Sequence, residues 1–211
     1  PIHSLRLKYE NDIFQYGQTY LHTNKDNMFL SIKRQKDDKI GYVKKAELTY
    51  KHEFYNHFSY YVTLRNRVDI ATHLIPFVRT YTAANSTNTK FVKNLKQSEV
   101  EICFRYAPNE KFTQSKWNRH SILPEHPVYT LKHTVGFKGI LGSHFNYNHT
   151  EASFQKRFWF SAFGYTDCII KAGKVWNKVP FPLLIIPNAN LPYTIQKESY
   201  SLMNAMELFN D

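Results

Sequence analysis

Two carboxylates two residues apart, Glu99 and Glu101, are the first candidates for acid–base chemistry in this sequence. From Glu99 to Tyr106 charged or polar side chains alternate with apolar ones, which predicts a strand with both carboxylates on one face. Such a pair is what hydrolysis of a glycosidic bond requires. Arg105 shares the same face, however, and mixed signs favour ion pairing over catalysis.

The same mixture of charges recurs along the other predicted strands. Interleaved signs predict internal ion pairs, or a surface that grips an inserted segment, whereas an ion-selective pore uses rings of largely one sign. If the strands form a barrel, the residues expected to face its lumen are Glu47, Lys51, Arg65, Glu99, Glu101, Arg105, Lys132, Glu151, Arg157, Asp167 and Lys171.

Motifs for metal, cofactor or nucleophilic chemistry are not found in the sequence. The histidine pairs His120/His126 and His144/His149 match no zinc spacing. There is no nucleophile elbow, phosphate loop or dinucleotide fingerprint. We therefore predict no catalytic residue, no metal and no cofactor. For the two cysteines, Cys103 and Cys168, a disulfide and two separate thiols both stay open.

The elements that carry these charges are strands. Alternation, together with a 16% aromatic content, predicts an all-β protein. The longest apolar run is far shorter than the roughly 20 residues of a membrane helix. A membrane β-barrel has a much weaker hydropathy signal and remains compatible with the sequence. The predicted strands, about eight in number, cover 5–10, 27–33, 45–51, 58–67, 99–106, 129–138, 151–160 and 167–173.

The connections between these strands differ strongly in length. Short turns are predicted at 54–57, 140–145 and 161–164, and long loops at 66–98, 107–126 and 176–204. In an antiparallel arrangement most long loops share one end, which is typical of outer-membrane barrels; the loop at 107–126 is an exception. Aromatic residues gather at strand ends, as in the girdles of such barrels, although soluble β-proteins are also rich in them.

An apolar stretch broken by prolines follows the last predicted strand. It cannot be a central strand or a helix, so it must be an extended loop that needs a surface to pack against. A barrel lumen or mouth would provide that surface, and so would a neighbouring domain. The prolines concerned are Pro180, Pro182, Pro187 and Pro192.

The segments "EVEICFRYAPNEKF", "YTLKHTVGFKGILGSHFNYNHTEASFQKRFWFSAFGYTDCIIKAGKVWNKVPFPLLIIPNAN" and "YTIQKESYSLMNAMELFND" resemble a Bacteroidota outer-membrane family of unknown function. Its members are known as carboxypeptidase-regulatory-like domain-containing proteins. The resemblance implies an N-terminal β-sandwich followed by a barrel. Residues 1–211 would then be part of the barrel domain, without the sandwich and the final strands.

A more distant similarity is to the BamA/TamA-type surface-antigen superfamily. Its lumen loop carries an Arg-Gly-Phe/Tyr motif, and residues 175–211 contain no such tripeptide.

The net charge of +11 is the main pointer to partners, because it favours anionic surroundings. The leading hypothesis is a non-enzymatic barrel of the bacterial outer membrane, acting in transport, outer-membrane assembly or surface display. Its expected partners are outer-membrane lipid, including lipopolysaccharide, and another outer-membrane or periplasmic protein, but not nucleic acid. The alternatives are a soluble all-β binding module with a basic face for anionic ligands and, third, an outer-membrane enzyme.

Overall fold

The chain folds as one large antiparallel β-sheet with two small β-hairpins. The computed structural model describes residues 2–15, 40–83, 86–114, 119–121 and 126–186. Seven strands form the large sheet in the order β1-β2-β3-β6-β9-β10-β11, with β1 and β11 at its described edges. The prediction of an all-β antiparallel fold is confirmed. The strand predicted at 27–33 lies outside the described residues.

The other seven predicted strands are present. Six are longer than expected, whereas the strand predicted at 129–138 ends at Gly136. In the described part of the chain no helix is long and apolar enough to cross a membrane. The large sheet consists of β1 (Ile2–Gln15), β2 (Ile40–Glu53), β3 (Phe58–Ile70), β6 (Asn94–Tyr106), β9 (Val128–Gly136), β10 (Tyr147–Trp159) and β11 (Tyr165–Val175). The hairpins are β4 (Phe77–Ala83) with β5 (Ser86–Val92), and β7 (Phe112–Gln114) with β8 (Arg119–Ser121).

The long loop predicted at 66–98 is wrong. Strand β3 continues to Ile70, β6 begins at Asn94, and the β4–β5 hairpin fills the interval. The sequences of β4 and β5 are rich in threonine and show no sustained alternation of apolar and polar residues, so alternation could not identify them. The connection predicted at 107–126 likewise contains the β7–β8 hairpin.

Two predicted turns, at 54–57 and 161–164, lie at the end of the sheet that is opposite the β4–β5 hairpin. We call this the turn end. At the first, the Phe54 amide donates to the Phe58 carbonyl at 2.8 Å. At the second, the Phe160 amide donates to the Gly164 carbonyl at 2.8 Å, and Gly164 has φ 91°. Glycine adopts this φ without the Cβ clash that other residues meet. The other end carries the larger hairpin and is called the β4–β5 end.

The two faces of the large sheet differ in exposure, and the difference is the reverse of that in a soluble protein. Because paired residues of antiparallel strands share a face, register assigns every side chain. The face holding Arg65 and Glu99 is the charged face, and Glu99 is only 7% exposed. The face holding Leu7 and Leu64 is the apolar face, and Leu7 is 79% exposed. Around Arg65 the charged face is therefore the more buried of the two faces.

A small apolar cluster covers the charged face at the β4–β5 end. Ile75, Phe77 and Leu95 are buried there, and Phe181 and Ile186 pack against them. The Phe77 and Phe181 rings meet edge to face with their centroids 5.7 Å apart. This is the only cluster of buried apolar residues found in the described part, and the described residues form no continuous apolar core.

Candidate functional site

The structure brings all eleven predicted charged residues onto one face of the sheet. Glu47, Arg65 and Glu99 occupy one row across β2, β3 and β6, because Glu47 pairs with Arg65 and Arg65 with Glu99. The pairing of Cys103 with Lys132, and of Lys132 with Glu151, continues the face to β9 and β10.

The centre of the site is the Arg65 guanidinium. Its Nε donates to Glu47 Oε1 at 2.5 Å, and its Nη1 donates to Glu99 Oε1 and, at 3.4 Å, to Glu101 Oε2. A single cation therefore holds three carboxylates from β2 and β6. Charge-assisted hydrogen bonds of this kind are about twice as strong as neutral ones. Glu99 and Glu101, the candidate acid–base pair, are thus both engaged by a cation.

Tyr147 completes this network, and the sequence analysis missed it. Its hydroxyl donates to Glu99 Oε2. A Cβ on Gly136, the residue paired with Tyr147, would lie 2.3 Å from the tyrosine ring and 2.4 Å from Gln97 Nε2. Only glycine leaves room for the ring at this position. Extending the alternation back from Glu151 through His149 to Tyr147 would have placed the tyrosine on the charged face.

Further missed members extend the network towards the β4–β5 end. Lys45 Nζ lies 2.6 Å from Glu10 Oε2 and 3.5 Å from Glu47 Oε1, so it joins β1 to the Arg65 cluster. Arg67 donates to Asp69 Oδ1 from Nη2 at 2.8 Å. Lys45, Glu10 and Arg67 lie on the charged face of strands already predicted, so the alternation itself was the available signal. Asp69 lies two residues further along β3, in the stretch predicted to be a loop.

Ion pairs also occur towards the turn end. Arg105 donates from both Nη atoms to the two Glu110 carboxylate oxygens, at 2.7 Å each. Glu110 is buried in the loop after β6, so this bidentate pair fixes the loop to the sheet. Lys51 Nζ lies 3.2 Å from Glu53 Oε2 on β2.

Strands β9 to β11 carry the remaining predicted residues. Lys132 pairs with Glu151 across β9 and β10. Arg157 donates from Nε and Nη2 to the two Asp167 oxygens at 2.6 and 2.7 Å. Lys171 lies opposite Ser153, on the same face. These pairs belong to a part of the charged face that is more open to solvent than the Arg65 cluster.

The proline segment lies against the charged face where it is described. Pro180 precedes a helical turn at Phe181–Leu183, and Pro182 is buried. A Cβ on Gly173 would lie 2.9 Å from Ile185 Cδ1, and Gly173 shares the charged face with Glu151. The segment therefore runs from β11 across to the apolar cluster at Leu95. Pro187 and Pro192 lie outside the described residues.

The described part of the chain contains neither a metal site nor a disulfide. No group of three or more His, Cys, Asp or Glu residues there could hold a metal ion. Cys103 and Cys168 are free thiols. Cys103 lies on the charged face and Cys168 on the apolar face, so the sheet itself separates them.

Fold and site together define an all-β domain whose large sheet has one charged face and one exposed apolar face. A family model described as the C-terminal domain of a family of unknown function (DUF5686) matches residues 2–182. The match covers most of the chain, which therefore belongs to this family. No curated protein and no solved structure matches the chain.

Proposed function

We propose that this chain is part of a β-barrel of the bacterial outer membrane, with the apolar face towards lipid and the charged face towards the lumen. The observation that carries the proposal is the inverted exposure of the two faces. In water an exposed continuous apolar face is a strong liability, since monomeric soluble proteins rarely show patches beyond a few hundred Å². In a bilayer the same face is the favourable one.

The course of the apolar belt across the sheet supports this orientation. On the apolar face of β1 the exposed apolar residues are Leu5, Leu7 and Tyr9, with Ile13 separated from them by Asn11, whereas on the same face of β11 they are Ile170 and Ala172. Following the register from β1 to β11, the belt shifts by about three rows, or roughly 20 Å along the strands, over a sheet width of roughly 29 Å. The belt therefore departs by roughly 35° from the perpendicular to the strands. If the belt lies in the membrane plane, the strands are tilted by the same angle, as in transmembrane barrels.

The distribution of charge on the apolar face is also suited to a membrane. Every Asp and Glu of the seven strands lies on the charged face, and the charged residues of the apolar face are all lysines. Lys44 and Lys96 lie beyond the belt at the β4–β5 end, where they could meet lipid phosphates. Lipid that includes lipopolysaccharide is accordingly the proposed partner, and another outer-membrane or periplasmic protein a further one.

The interior is suited to holding a segment rather than to free diffusion. Its charges pair with each other, as Arg65 does with Glu99, and do not form a ring of one sign. The segment 177–186 crosses this face at the β4–β5 end. We therefore propose a non-enzymatic barrel that serves in transport, outer-membrane assembly or surface display. Resemblance to carboxypeptidase-regulatory-like outer-membrane proteins of Bacteroidota supports the same assignment.

Membrane fractionation of the full-length protein tests the proposal. We expect it in the outer-membrane fraction, dependent on detergent for extraction, with different gel migration before and after heating. A protein that is soluble and monomeric without detergent would contradict the proposal and favour the soluble binding module. Loss of a measured hydrolytic activity on substitution of one serine would favour an enzyme instead.

A further inference from the structure

A groove interrupts the apolar face where β9, β10 and β11 meet. Ala152 and Ala172 are directly paired in the register, so two small side chains lie next to each other on the outside of the sheet. Larger side chains surround them, and the resulting cavity has a volume of about 460 Å³. Its walls include Phe104, Tyr129, Leu131 and Phe154. In the Leu7–Leu48–Leu64 row, by contrast, all the neighbouring residues are large.

One lysine beside this groove makes no ion pair with a carboxylate of the described residues. Lys156 follows Phe154 by two residues on the same face, one row closer to the turn end. Its Nζ lies 4.8 Å from the centroid of the Phe158 ring. Since the apolar face of the described sheet holds no Asp or Glu, an anion from outside the chain is the natural counter-charge.

We propose that the groove binds one acyl chain of an anionic phospholipid whose headgroup phosphate contacts Lys156. The inference rests on the proposed function, because it requires that the apolar face meets lipid. The chemistry fits each part of the ligand: the walls are aromatic and aliphatic, and the cation lies at the border of the belt. Aromatic side chains at this border, Tyr106 and Tyr129, suit the level of the headgroups.

Native mass spectrometry of the full-length protein tests this site. The protein is exchanged into a defined mixture of phosphatidylglycerol and phosphatidylethanolamine, and retained lipid is counted. Ala172→Phe fills the groove and should lower retention at least about tenfold. Ala46→Phe, at an exposed alanine of the same face on β2, is its matched control and should leave retention unchanged.

The headgroup contact has its own pair of variants. Lys156→Gln should reduce the preference for phosphatidylglycerol about fivefold, as expected for one lysine near a lipid phosphate. Lys44→Gln, at a lysine distant from the groove, should not. If groove and control variants lose lipid equally, or none loses any, the site is overturned. All variants must retain heat-modifiable migration, and failure of the unmodified protein to require detergent would instead overturn the proposed function.

Discussion

The charged and apolar faces of the same sheet are stabilised in different ways. On the charged face the Arg65 cluster obtains its stability from partners inside the chain, and the Glu99 carboxylate is almost fully buried by them. On the apolar face Leu7 has no such partners and is exposed along most of its surface. The charged face therefore specifies its own structure, whereas the apolar face depends on what surrounds the protein.

This comparison explains why a sheet with little apolar core can hold its shape. Backbone ladders run across seven strands. The ion pairs of Arg65 join β3 to β2 and also to β6, which follows β3 in the sequence only after the β4–β5 hairpin. Buried pairs of this kind contribute little net stability over apolar replacements, but breaking one leaves uncompensated charge. Specific pairing of strands is thus the role we assign to the Arg65 cluster.

The largest expected effect comes from Arg65→Met. The change leaves Glu47, Glu99 and Glu101 without their shared cation in a closed environment. We expect the free energy of unfolding to fall by about 3–5 kcal/mol. Urea denaturation of the protein in detergent, followed by tryptophan fluorescence, measures it.

Lys8→Met is the matched control, because Lys8 also pairs with a glutamate but is half exposed. Its expected cost is about 0–1 kcal/mol, as for surface pairs. Equal costs for the two variants would show that the charged face is open to water throughout.

The second prediction concerns the apolar face. Leu7→Lys should cost about 2–4 kcal/mol if the residue lies within the bilayer. In water the same change at so exposed a position should stay within about 0.5 kcal/mol. Asn11→Lys, on the same face of β1 but beyond the belt, is the control and should be nearly neutral in both environments. Unfolding of both variants from lipid vesicles makes the comparison, and a neutral Leu7→Lys would contradict a lipid-facing belt.

The faces of the strands could be read from the sequence because side-chain alternation is a local property. Glu99, Glu101 and Arg105 were assigned correctly to one face without knowledge of any neighbouring strand. The pairing could not be read in the same way. That Arg65 meets Glu47 and Glu99 depends on register, which turn geometry and the whole hydrophobic pattern set together.

Some of the residues that the sequence analysis missed lie at strand ends. Tyr147 opens β10 directly after a stretch predicted to be a turn, and Gly136 ends β9. Their contact requires both strands to extend beyond the clear alternation. Glu110 was missed because it reaches Arg105 from a loop, where no periodic pattern exists.

The third prediction tests the fit between Gly136 and Tyr147. Gly136→Ala places a methyl group 2.3 Å from the Tyr147 ring. We expect the resulting overpacking to lower the free energy of unfolding by about 1–3 kcal/mol. Combining it with Tyr147→Ala should cost less than the sum of the two single changes, because the smaller side chain removes the clash. A double-mutant cycle on the free energy of unfolding measures the coupling. Strict additivity would contradict the contact.

The smallest expected effect compares two parts of the charged face itself. The side chains of Lys132 and Glu151 are 32% and 37% exposed, against 22% for Arg65 and 6% for Glu99. Solvent screens a pair of this kind, so Lys132→Glu should cost only about 0.2–1 kcal/mol, and adding Glu151→Lys should restore stability by reversing the pair. Thermal unfolding of the unmodified protein, Lys132→Glu and the double variant measures this order of stabilities. A cost for Lys132→Glu as large as that of Arg65→Met would mean that further chain covers β9 to β11, and that the charged face is closed along its whole width.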